Sequence, residues 1–217
     1  MTDFDQKPIH KIASSVADWV LRFIVINFLV IICSLGIITI FPALSAAFQL
    51  FDDYINKVET KLFKGFFSYF KEDIKKKLLY GLFFVALIAI GVVSSWYYTN
   101  LLREHNDVIL WIGYIFVLSI VLLFALTMLY SLIVLTVYKP ASLFTLIKQS
   151  LFLAGKFFLR TIVIIIIWII PILMFLTIPT IIIFMIIGLS GPLFLQAKIS
   201  QKTLNFIYEV GVEENEE

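Results

Sequence analysis

Residues 23–51 read FIVINFLVIICSLGIITIFPALSAAFQLF, 29 residues without a charged side chain or a histidine. The same holds for Leu78–Leu102 (25 residues), Val108–Tyr138 (31) and Thr161–Ala197 (37). A bilayer core takes about 20 apolar helical residues to cross, so each run can span and the last can do so twice. Backbone groups inside lipid must be satisfied within the segment, which favours helices. With 61% hydrophobic residues and a mean hydropathy of +1.02, the chain lies well above the soluble norm of about 45–50% apolar. The expected class is all-α: a polytopic helical transmembrane bundle forming a single integral membrane domain over 1–217. The first run starts after 22 residues, and it is longer than a secretory signal core, so it is expected to stay in the protein.

The first run admits two readings. Pro42 frees a carbonyl one turn earlier and Thr39 is placed to help satisfy it, so the run reads as one kinked span. Asn27 then needs an interhelical partner or a place near the interface, and Ala43/Ala47 offer a small face for close packing. The alternative is a re-entrant hairpin. The two readings divide the basic residues, which accumulate in cytoplasmic loops, differently. The preferred arrangement has five spans, near 20–50, 78–102, 108–138, 158–176 and 180–198. Its N-terminus is outside, its C-terminus is cytoplasmic, and its basic residues divide 13 to 4. Pro171 and Pro179 split the last run, with an outer turn near Leu176–Thr180. Trp96-Tyr97-Tyr98, Trp111, Tyr114 and Trp19 form the outer aromatic belt. The hairpin alternative brings the N-terminus inside and divides the basic residues 16 to 1, at the cost of unpaired backbone at membrane depth.

Two basic connections carry apolar residues at helical spacing. One presents Phe66, Phe67 and Phe70 with Lys64, Lys71, Lys75, Lys76 and Lys77. The other presents Leu143, Ile147, Leu151 and Phe158 with Lys148, Lys156 and Arg160. Both are expected to be amphipathic cytoplasmic segments, touching anionic headgroups or a partner protein. The order span, basic segment, span occurs twice, which is read either as an internal repeat or as convergence under the positive-inside rule. The end from 209 to 217 reads as a solvated acidic tail.

Chemistry has few places to reside. Gly188-Leu189-Ser190-Gly191 matches a G-x-S-G pattern, but a serine nucleophile needs a base in reach, and both histidines, His10 and His105, lie upstream in polar segments. Cys33 is the single cysteine and reads as an apolar packing residue. Asp52-Asp53 reads as a pair solvated among lysines. No acid occurs between Asp107 and Glu209, which argues against ion-coupled transport. No catalytic, metal or cofactor-binding residue is assigned, and a charge of +2 does not point to nucleic acid.

Within the first run, Asn27, Ser34, Leu35, Thr39, Pro42 and Ala43 fall on positions that resemble the first-helix motif of the YesL family of bacterial membrane proteins, catalogued as domain of unknown function 624. Phe66-Phe67-Ser68-Tyr69-Phe70-Lys71 is similar to a second segment of that family, and Leu146–Ser150 with Leu153-Ala154 to a third. The chain departs from the pattern at Gly36 and Phe41, where the family has proline and glycine. The resemblance implies a small multi-span bacterial cell-membrane protein, often encoded beside carbohydrate ABC importers, and implies no catalytic residues. The expected function is therefore a non-enzymatic accessory or regulatory membrane protein associated with such an importer, without a cofactor. Its handles are the basic segments and the small-residue faces Ala43/Ala47 and Gly91/Ser95. The alternative is a small facilitator or channel-type module, whose polar path would use Asn27, Thr39, Thr127, Ser131, Thr177 and Gln196.

Overall fold

The first run does not continue as one helix. In the computed structural model the backbone is described for residues 6–105, 107–137 and 142–213, and side chains for 16–105, 107–137 and 142–209. Helix α1 (Gln6–Ser34) ends before a 3-10 turn, Ile37–Thr39, and α2 (Ile40–Ile55) follows. The rings of Phe23 and Phe51 stand 5.5 Å apart and those of Trp19 and Tyr54 6.3 Å apart. On a continuous helix the second pair would be separated by about 50 Å. The run is thus an antiparallel hairpin, and the expectation of one kinked span over 20–50 is corrected.

The reason lies in residues 34–39. Thr39 Oγ1 donates to the carbonyls of Cys33 and Gly36, so it serves the frayed end of α1 rather than the carbonyl freed by Pro42. That carbonyl, on Ile38, is pressed against α4 (Ile74–Glu104): a Cβ at Gly81 would meet it at 2.9 Å and Phe41 Cβ at 3.0 Å. Gly81 is one turn beyond Lys77, about 6 Å along the helix axis. The whole hairpin therefore stays near the charged end of the bundle.

Helix α3 (Leu62–Lys71) packs against α2, and α4 then runs out and returns as α5 (Val108–Val137). Their seam passes through Phe83–Phe124, with ring centroids 6.1 Å apart, and Tyr98–Tyr114 at 6.2 Å. Helix α6 (Leu143–Lys156) lies along the end of α5 and meets α7 (Phe158–Leu173) at a 103° corner. Thr161 pins that corner, donating to Ala154 O (2.7 Å) and sharing a 2.7 Å hydrogen bond with Tyr130. The last run splits as expected, at a turn after Leu173. Pro171 stays inside α7, whereas Pro179 opens α8 (Ile178–Ile187), where a missing N–H costs nothing. The expected fifth span, 180–198, is broken again: α9 (Ser190–Glu213) leaves α8 at 54°.

Among the described residues the protein is helical, with three helices long and apolar enough to cross a membrane and two bent pairs that are so in combination. The long helices are α4, α5 and the Val16–Ser34 part of α1. The core sits where the hairpin, α4, α5, α7 and α9 converge; residues 41–52 are buried without interruption. From 89 to 124, α4 and α5 form a two-helix arm that is largely exposed. In that two-helix arm Gly91 is the one described residue fully buried between 89 and 124.

The terminal segments share an end. Trp19 packs edge-on to Phe194 at 5.3 Å, and Arg22 lies with Tyr54 and Lys198 around one cleft. The hairpin alternative puts these two segments on one side, and the preferred expectation puts them on opposite sides. Trp19 is corrected from the outer belt to this end; Tyr97, Tyr98, Trp111 and Tyr114 cluster on the α4/α5 arm without it, and Trp96 is exposed nearby. The acidic tail past the helix end at Glu213 lies outside the described residues.

Candidate functional site

Two clusters hold the polar chemistry of the bundle. The first is centred on Asn27, which is fully buried. Its Nδ2 donates to the carbonyls of Phe184 (3.0 Å) and Met185 (2.8 Å), the open end of α8. Its Oδ1 accepts from the amides of Leu189 (2.8 Å) and Ser190 (3.0 Å), which open α9. One carboxamide therefore closes both ends of a helix break. An unpaired backbone group in an apolar setting costs about 1–3 kcal/mol, so the break and the asparagine depend on each other. The G-x-S-G stretch is this break: Ser190 is buried, and its Oγ faces Ile187 O at 3.5 Å.

The second cluster lies where α2 and α9 leave the apolar layer. Asp52 Oδ1 accepts from Gln201 (2.7 Å) and Asn56 (3.1 Å), and Asp53 Oδ2 accepts from Tyr69 (2.6 Å) and Thr60 (2.7 Å). Burial pushes the Asp52 carboxyl above the ordinary aspartate value; the Gln201 amide opposes this, the Asp53 charge adds to it, and Asn56 opposes it. Burial and the bond to Asp53 raise the Tyr69 phenol well above its usual range. Lys77 is buried and donates to Tyr69 O at 2.7 Å, tying α3 to α4. Beside it lies a cavity of about 170 Å³ bordered by Gln49, Tyr69, Glu72, Asp73 and Tyr80.

The expected contact residues divide. Lys64, Phe67, Lys71, Lys75, Lys76, Lys148 and Lys156 are exposed, Phe70 and Arg160 half-buried. Phe66 and Lys77 are buried, so both are corrected from surface contacts to internal packing. Phe66 fills the space between α3 and the core, and Lys77 is directed to the end of α3. Lys156 instead folds over the Phe206 ring at 3.1 Å. The small-residue faces are likewise consumed inside the molecule. Ala43 and Ala47 are in the core, and a Cβ at Gly91 would meet Val121 Cγ2 at 2.5 Å.

The proposed polar path meets the same fate. Thr127 and Ser131 bond to Leu123 O and Met128 O in their own helix, and Thr177 bonds to Thr180. Gln196 accepts from Trp168 Nε1 (2.7 Å) and donates to Leu129 O (2.9 Å), joining α7, α9 and α5. Gln49, Tyr69 and Gln201 were missed as polar partners in the sequence. Their one signal was polarity at positions that continue an apolar helical face.

No curated protein and no solved structure matches the chain significantly. Residues 23–95, which contain most of the hairpin, α3 and much of α4, match the model of the family described as Protein of unknown function, DUF624. Over that part the chain is similar to this family, the one its first-run residues resemble.

Proposed function

We propose that this protein is a non-enzymatic accessory membrane protein that binds another membrane protein through the α4/α5 arm. The carrying observation is that α4 and α5 keep apolar side chains exposed on both members from 89 to 124, such as Ile90, Val93, Ile112 and Phe116. Helix association in lipid comes from close packing rather than from hydrophobic expulsion. An arm without intramolecular neighbours is suited to a partner's helices. The polar side chains near the break support a non-catalytic role, since they are engaged with backbone. The charged end is assigned to the cytoplasm and the arm tip to the outside; the support is the sequence count, in which a hairpin arrangement divides the basic residues 16 to 1. A carbohydrate ABC importer, implied by the family resemblance, is the first partner to test.

Photo-crosslinking residues at Ile112 and Phe116, with Phe144 on α6 as the control position, would be used in native membranes. Discrete adducts with a membrane protein are expected from the arm positions only. A fully expressed, folded protein that gives no adduct from the arm would overturn the proposal. For orientation, single cysteines at positions 18, 64 and 105 in a Cys33→Ser background are labelled in intact cells. Only position 105 should react from outside.

A further inference from the structure

A second feature of the charged end is independent of the accessory role. The middle of α1, the α2–α3 connection and α9 enclose an open cleft of about 790 Å³. Its floor is aromatic: Trp19, Tyr54 and Phe194. Its rim carries Arg22, Lys57, Lys61 and Lys198, against a single carboxylate, Glu59. These cations come from three distant parts of the sequence, and the fold alone brings them together. Among the described residues none of the four is paired with a carboxylate. Asp52 and Asp53, next to Tyr54 in sequence, are engaged elsewhere and accept from Gln201, Asn56, Tyr69 and Thr60.

Two of the cations are also pre-positioned. Arg22 stands over the rings of Tyr54 (4.2 Å) and Trp19 (5.4 Å), a contact that orients the guanidinium. Lys57 has φ 60° just after the C-terminal cap of α2. Its amide bonds Tyr54 O (3.3 Å) and the next amide bonds Asp53 O (2.9 Å). This helix-ending motif normally takes glycine or asparagine, and a lysine there bears a conformational cost. The cleft lies at headgroup level, since Arg22 immediately precedes one uncharged run and Lys198 immediately follows another.

We infer that this cleft binds the headgroup of an anionic phospholipid from the surrounding leaflet. The phosphate meets the cationic rim, and the glycerol and upper acyl carbons lie on the aromatic floor.

The test uses the full-length protein, delipidated in neutral detergent and titrated with phosphatidylglycerol or phosphatidylcholine, with bound lipid counted by native mass spectrometry. Lys57→Gly/Lys61→Gln/Lys198→Gln is compared with Lys71→Gln/Lys75→Gln/Lys76→Gln, which removes the same charge elsewhere on that end. The cleft variant should bind phosphatidylglycerol about tenfold more weakly, and the control should stay within about twofold of the parent. Phosphatidylcholine should bind weakly to all three. Equal losses in both variants, equal binding of the two lipids by the parent, or displacement by free glycerol phosphate at the lipid's own concentration would each overturn the inference. Lys57→Gly alone relieves the left-handed backbone and keeps the fold, so it serves as a second variant with an expected smaller loss.

Discussion

The charged end and the α4/α5 arm are made from the same apolar helices but are held in different ways. At the charged end, short and broken helices are tied by side chains that reach across the sequence: Asn27 to 184–190, Gln196 to Leu129, Gln201 to Asp52. The arm has two unbroken helices of 31 and 30 residues, joined along one seam of small and aromatic residues. Thr99 and Ser119 in the arm bond only one turn back along their own helices. The difference teaches where irregular backbone is tolerated in a membrane protein. It occurs where a buried polar side chain takes over the lost helix bonds, and the arm, lacking such groups, stays regular.

The largest effect that can break this contrast is expected from Asn27→Leu. It strands the amides of Leu189 and Ser190 and the carbonyl of Met185, while Phe184 O keeps its bond from Gly188 N, so a loss of about 3 kcal/mol or more is expected. It would be read as a collapse of the melting transition in mild detergent, with arm substitutions such as Phe116→Leu nearly silent. A melting temperature within a degree or two of the parent would mean that Asn27 does not hold the break. Next comes Gly81→Leu, which drives a side chain into Ile38 O and Phe41. Overpacking there should cost about 1–3 kcal/mol and detach the hairpin, measured as faster hydrogen exchange across 35–44.

Gly91→Ala sharpens the comparison from the other side. The clash is with a Val121 methyl, so about 1 kcal/mol or less is expected, with exchange in α2 and α9 unchanged. The smallest effect concerns pH. Because burial raises the Asp52 carboxyl above its unfolded value, the folded state holds that proton more tightly. The corresponding stability is fully present below the unfolded value and is lost as pH rises through the raised one. Asp52→Asn keeps an oxygen for Gln201 and Asn56 and should flatten this part of the melting profile. An unchanged slope in that variant would assign the dependence to another group.

The class of fold was readable because lipid imposes a long, uncharged stretch on any crossing helix. The turn after Leu173 was readable for a related reason: 37 residues exceed one crossing and Pro179 marks a helix start. The hairpin was legible only as an alternative. Pro42, Gly36 and Thr39 permit a kink as well as a reversal, and no local pattern says which. The charge division of 16 to 1 favoured the hairpin, because basic residues gather on one side of a membrane. Phe66 and Lys77 were misplaced for the opposite reason. Helical spacing identifies a face but not what covers it, and the covering elements, α2 for Phe66 and the end of α3 for Lys77, are outside any helical wheel.

By itself, then, the sequence determined that this protein is a helical membrane bundle with its positive charge concentrated in few connections. The physical reason is that solvation in lipid acts on each segment separately. Tertiary structure alone decided that the first run folds back and that Asn27 closes a break more than 150 positions away. It also decided that Arg22, Lys57, Lys61 and Lys198 share one cleft. Those outcomes depend on which buried donor finds which acceptor across the bundle, and that pairing is settled only when the helices pack.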